Sequence, residues 1–270
     1  MERHVEFGLK GDLVHSGVER VKYMIVTLPG DAPDKDGNIK LFTKESASVL
    51  FQNVMSLWNT KEMWDGEKRS ATILIQNSPR TGKYDKDGKD AKIVCNHEHR
   101  KGEEPQLDEV SAHFLSLFKE MEKVNKIKIP YTFFNFAFEV SEIGEGESKI
   151  LSKKSNSVFN QLLYIAAKGQ NSLYIIPAES ISMIGQSPQY VDPYRIIAFY
   201  PSSMNYEHMQ IFQMAKERGY FNMFSEDGDI EILAKESGQR LILSDAQLVA
   251  SDIMDGLQAK YLGVDHGQHI

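Results

Sequence analysis

One helix and the run that follows it constrain the fold of this chain most. In "LDEVSAHFLSLFKEMEKV", Leu107, Val110, Phe114, Leu117, Phe118 and Met121 recur at helical spacing and form a single apolar stripe. Pro105 lies just ahead, where a missing N–H costs a helix nothing. "KIPYTFFNFAFEV" (128–140) then reads as one long aromatic strand, and so crowded an apolar run is expected to be buried on both faces. Helices with one apolar stripe must cover a sheet or one another, which points to a layered fold.

The same alternation runs through most of the chain. "KYMIVTL" (22–28) reads as a strand ending at the turn Pro29-Gly30. "KESASVLFQNVMSLW" places Leu50, Val54, Leu57 and Trp58 on one helical face. "ATILIQN" (71–77) and "AKIVCN" (91–96) read as strands, joined by a polar run with no helical period. Because a parallel crossover needs a dozen or more structured residues, an antiparallel pair with a long tip is expected. Ser155 is the expected N-cap of "NSVFNQLLYIAAK", with Gly169 as a left-handed C-cap. "SLYIIP" and "RIIAFY" read as strands around a loop "GQSPQYVDP", and 204–218 reads as a helix ending at Gly219. "YFNMF", "DIEILA" and "QRLIL" form a meander, and Ser244 with Gln247 makes a capping box for a last helix. The expected fold is α/β (or α+β), a mixed sheet with interleaved helices and hairpins near both ends. It is expected to form a single domain over 1–270, with its softest point near 184–193.

Composition narrows the function classes. With 270 residues, a formal net charge of −7 and one cysteine, the chain has no global attraction for nucleic acid and no intrachain disulfide. No apolar window is long enough to span a membrane and "MERHVEFGLKGD" lacks the apolar core of a leader. A soluble chain is expected, cytoplasmic or delivered into a host cell's cytosol.

"KIVCNHEHRKGEEP" is the strongest functional candidate. If its strand continues, Cys95, His97 and His99 share one face, a set that Zn²⁺ accepts, with Glu103 as a further ligand. A metal-dependent hydrolase is one reading. The other uses His99 as acid and base and Glu103 as the group that orients its ring. Arg100 and Lys101 add positive charge beside the start of the following helix, an environment that suits phosphate. The antiparallel expectation brings Arg69 and Ser70 alongside, with Ser56 on the preceding helix as another hydroxyl. A nucleotide or phosphate-containing substrate follows from these parts. The non-catalytic alternative is a protein that binds and inhibits another protein.

A serine upstream of His99-x-x-x-Glu103 is similar to the motif of bacterial secreted effectors that act as actin-activated adenylyltransferases. That resemblance implies AMP transfer from ATP with Mg²⁺, His99 and Glu103 in the motif positions, Ser56 or Ser70 as the serine, and a host protein as partner. "HEHRKGEEPQL" followed by "IPYTFFNFAFEV" also resembles the approach to the catalytic loop of effector inositol phosphatases. Phe136 stands where their cysteine would be, so that activity does not carry over. "PDKDGNI", "YDKDGKD" and "SEDGDIE" lack the acidic first position and closing glutamate of a calcium loop and read as turns. "SPRTGK", with Arg80, Gly82 and Lys83, departs from the P-loop pattern and reads first as a solvated tip, with an anion- or partner-binding loop as the alternative. His208 and His113 read as core or boundary histidines.

Overall fold

The computed structural model describes residues 22–34, 36–60, 68–84, 98–143, 150–169, 171–224 and 229–234. Strand β1 (Tyr23–Thr27) is followed by a two-residue hairpin, β2 (Ala32–Pro33) with β3 (Ile39–Lys40), and helix α1 (Lys44–Asn59). Then come β4 (Thr72–Gln76), β5 (Glu98–Arg100), α2 (Glu109–Asn125), β6 (Tyr131–Phe134), β7 (Phe138–Ile143) and β8 (Ile150–Ser155). The remainder is α3 (Phe159–Lys168), β9 (Leu173–Pro177), α4 (Ile181–Tyr190), β10 (Ile196–Phe199), α5 (Tyr206–Glu217), β11 (Asn222–Phe224) and β12 (Ile230–Glu231).

The main sheet has the spatial order β6-β4-β1-β9-β10-β11-β12. Every ladder in it is parallel except that of the edge strand β12. Among the described residues the chain enters the sheet in the middle at β1, steps outward through β4 to β6, returns to pair β9 with β1, and steps outward the other way. Side-chain alternation along each strand sends Met24 and Val26 to one face and Tyr23 and Ile25 to the other. The first face packs against α1 and α2 through Leu50, Val54, Trp58, Phe114 and Phe118. The second packs against α3, α4 and α5 through Leu162, Ile165, Ile184, Phe212 and Ala215. Both faces are thus dry, and the strands carry nearly continuous apolar runs for that reason. An α/β fold with a mixed sheet is what these contacts make, a doubly wound arrangement in which the strand order reverses between β1 and β9.

Four local expectations are corrected. The expected hairpin of 71–77 is not formed: β4 has β1 on one side and β6 on the other, both parallel, so no edge is left for an antiparallel partner, and the strand expected at 91–96 lies outside the described residues. The aromatic run 128–140 is two strands rather than one. β6 ends at Phe134 in the main sheet, and β7 leaves to join β5 and β8 in a separate three-stranded sheet. Asn135 and Asn156 hold the break, since the Asn156 side chain donates to the Asn135 carbonyl and accepts from the Ala137 N–H. Residues 185–190 are helical despite Gly185 and Pro188, because Ile184, Ser187 and Pro188 bury against the sheet. Ser155 ends β8 instead of capping α3, whose first N–H goes to Ser157, and Gly169 has φ −79°. The third strand of the meander and the last helix lie outside the described residues.

Candidate functional site

In an open parallel sheet, ligands bind beyond the carboxyl ends of the strands where the strand order reverses. Here that place lies between the segments leaving β1 and β9. The Gly30 N–H, just past β1, donates to Oε1 of Glu179, just past β9, at 2.8 Å. A Cβ at position 30 would lie 2.6 Å from Ser78 Oγ and 2.9 Å from Arg80 Cβ, so only glycine admits this approach of the loop after β4. Thr81 fastens the same loop, donating its hydroxyl to the Pro29 carbonyl at 2.7 Å and accepting the Ser78 N–H at 2.9 Å. Far from being a solvated tip, the start of "SPRTGK" is part of the crevice, with Thr81 fully buried. Asp31 completes the seam by accepting the N–H groups of Phe42, Lys83 and Tyr84. Burial raises its carboxyl to about 6 against the pull of those three donors.

Glu179 differs from Asp31 in what is left over. It is 2% exposed, and its Oε2 is buried without a hydrogen-bond partner among the described residues. Burial pushes the carboxyl up to about 7, although the Gly30 N–H, the residue's own N–H and the charge of Arg80 oppose the rise. Arg80 is half-buried, and its guanidinium makes no hydrogen bond or ion pair among the described residues. On the opposite rim, His208 sits in the first turn of α5, which Asn205 caps by accepting the His208 N–H at 2.9 Å. The Nδ1 atom of His208 is buried and has no hydrogen-bond partner among the described residues. Burial lowers its pKa, and the Arg80 charge lowers it further against the opposing pull of Glu207. One cation thus acts on both Glu179 and His208, so the loops after β4, β9 and β10 converge.

The helix ends sharpen this picture. Thr43 caps α1, Asp108 caps α2, Ser157 accepts the first N–H of α3, and Asn205 caps α5. Among the described residues, no side-chain oxygen caps the start of α4. It begins at Ile181, two residues past Glu179, with Ile181 and Ser182 exposed. Unclaimed N–H groups at a helix start are donors for an anion.

Beside the open cluster lies a closed one. The Asn77 amide donates to Asp108 Oδ2 at 3.1 Å, Ser111 Oγ at 3.2 Å and Asn135 Oδ1 at 3.0 Å, and its oxygen accepts the Phe136 N–H. Asp108 also accepts the Ser111 N–H and hydroxyl at 2.8 and 2.6 Å. Asn135 donates in turn to the carbonyls of Pro105 and Gln106. This network fixes the entry to α2 and the break between β6 and β7.

The residues chosen from sequence are dispersed. Ser56 is exposed on α1, and Arg69 and Ser70 are exposed at the amino end of β4, where the Arg69 Nε donates to Asn59 Oδ1 and its guanidinium lies over Trp58. His99 lies in β5, which pairs with β7 beyond the carboxyl end of β6, so the expected neighbourhood with Arg69 and Ser70 is not formed. Glu103 does not hold the imidazole: its carboxylate accepts the Arg100 N–H at 3.1 Å, while His99 Nδ1 is 3.2 Å from the Arg100 carbonyl. Arg100, Lys101 and Glu103 are exposed on a turn, and Asp108 occupies the helix start they were expected to share. Cys95 and His97 lie outside the described residues, and among the described ones no three His, Cys, Asp or Glu side chains gather as a metal site. His113 bridges α2 to α1 through Ser48 at 2.8 Å. Asp31 and Glu179 were missed, although "TLPGD" and "IIPAES" each put glycine or an acid directly after an apolar strand, and Arg80 stood only as part of a loop whose second reading was anion binding.

The fold and the crevice define a doubly wound α/β protein with its polar groups gathered at the reversal of strand order. No family model, curated protein or solved structure matches the chain.

Proposed function

We propose that this protein binds a nucleotide or another phosphate-bearing substrate in the crevice between β1 and β9. The observation that carries the reading is Glu179 Oε2, a buried carboxyl oxygen without a partner among the described residues, two residues ahead of an uncapped helix at the strand-order reversal. Buried polar groups are nearly always paired, and an exception at a ligand-binding locus marks a group whose partner is the ligand. Glu179 can meet a ligand hydroxyl, and the first turn of α4 can meet a phosphate. Held near neutrality, the Glu179 carboxyl can also give or take a proton during a reaction on that substrate.

Titration calorimetry against nucleosides and their mono- and diphosphates tests the reading. Saturable binding of at least one nucleotide is expected, weakened about tenfold or more in Glu179→Ala. Absence of binding across the panel, or unchanged affinity in that variant, overturns it.

A further inference from the structure

The geometry points to Arg80 as the anchor of the ligand's phosphate, with the first turn of α4 as the second half of one anion site. The inference deepens the proposed function and rests on its placement of the ligand. Three features meet here. The Arg80 backbone is locked: its carbonyl accepts the Asp31 N–H at 3.0 Å, its N–H donates to Ser78 Oγ at 3.2 Å, and its Cβ faces Gly30. Its guanidinium, by contrast, is half-buried and claimed by no protein acceptor among the described residues. A fixed stem with an unclaimed planar donor is the arrangement for gripping phosphate oxygens in pairs. The uncapped start of α4 follows Glu179, the residue that Gly30 ties to this loop.

The other groups facing the site fit an anion. Glu179 is a negative charge on which Arg80 acts, and its burial favours the neutral acid, which donates to a phosphate oxygen or a hydroxyl instead of repelling it. His208 brings a buried Nδ1 without a partner. Asp31 already accepts three backbone N–H groups and so faces away from the ligand's needs. The remaining charge, Glu207, lies beside His208 on α5. The substrate class is therefore a phosphate ester whose charge is met by the chain's own guanidinium and helix end.

The test compares the full chain with Arg80→Ala and Arg80→Lys, using inorganic pyrophosphate, one nucleoside and its diphosphate as probes. Wild type is expected to bind pyrophosphate. Arg80→Ala should lose about 10- to 100-fold for pyrophosphate and the diphosphate, with the nucleoside unchanged. Arg80→Lys should restore only part of that, because a point charge lacks the fork. Since the Arg80 side chain makes no hydrogen bond or ion pair among the described residues, both variants should melt close to wild type. Should Arg80→Ala melt early, Arg80→Gln keeps the stem and supplies the same readout. Failure of wild type to bind pyrophosphate, or an equal affinity in wild type and Arg80→Ala, overturns the inference. Nucleotide binding that ignores Arg80 would leave the proposed function standing and remove the anchor. Pyrophosphate binding that depends on Arg80, without binding of any nucleotide, would support the anchor and remove the nucleotide.

Discussion

Two polar clusters sit at the same end of the same sheet, one around Asn77 and one around Glu179, and they are finished to different degrees. In the first, each amide and carboxylate meets a partner within the chain, from Asp108 and Ser111 to Asn135 and the Phe136 N–H. In the second, Glu179 Oε2 and His208 Nδ1 are buried and unpaired, and the Arg80 guanidinium is unclaimed among the described residues. The contrast separates architecture from site. A closed network stabilises one conformation because every member would be costly to orphan. An open one sacrifices some stability and keeps its donors and acceptors for something that arrives later.

The largest effect is expected in the closed cluster. Asn77→Ala leaves the Phe136 N–H and part of Asp108 unpaired in a buried place, and should cost about 3 kcal/mol in urea unfolding. A cost near zero would mean that the two clusters do not differ in kind. Next comes Gly30→Ala, where the new methyl meets Ser78 Oγ and Arg80 Cβ below contact distance, for about 2 kcal/mol. That variant should also weaken ligand binding, because the displaced Gly30 N–H is the group that holds Glu179.

The open cluster makes a smaller prediction with a definite sign in pH. Burial raises the folded-state pKa of Glu179 to about 7, above its ordinary 4.5, and raises Asp31 to about 6 from 3.8. Between the unfolded and folded values the native state binds the extra proton, so stability is full below the former and is lost as pH rises through the latter. Wild type should therefore be more stable near pH 4.5 than near pH 8. Glu179→Gln should flatten the part of that decline between about 4.5 and 7, gaining on the order of 1 kcal/mol over wild type at pH 8. A Glu179→Gln curve parallel to wild type would show that the carboxyl is not the strained group.

The layers were legible in sequence because hydrophobic periodicity reports burial directly. The stripe of Val110, Phe114 and Phe118 and the runs of β1, β4, β9 and β10 all bury as their patterns require. Pairing was not legible. An apolar run says that a strand is covered on both faces, not which strands flank it, so β4 was placed in a hairpin although it lies between β1 and β6. The helix α4 was hidden by Gly185 and Pro188, whose local preference is overridden by burial of Ile184, Ser187 and Pro188. With that helix read as a loop, Glu179 could not be seen as the residue ahead of a helix start. Density of chemically active residue types drew attention to His99 instead, yet charge density in a segment rises wherever a turn is solvated.

The smallest effect is expected there. His99 is half-buried in β5, and its ring nitrogen lies near a carbonyl of its own turn, with Glu103 turned to the Arg100 N–H. Removing the imidazole orphans no buried partner, so His99→Ala should stay within about 0.5 kcal/mol of wild type in urea unfolding. It should also leave nucleotide and pyrophosphate affinity unchanged, measured by the same calorimetry in which Glu179→Ala and Arg80→Ala lose binding. The outcome that would reverse the comparison is loss of binding in His99→Ala with Glu179→Ala unaffected. The site would then belong to the three-stranded sheet, and the unpaired groups at the strand-order reversal would need another explanation.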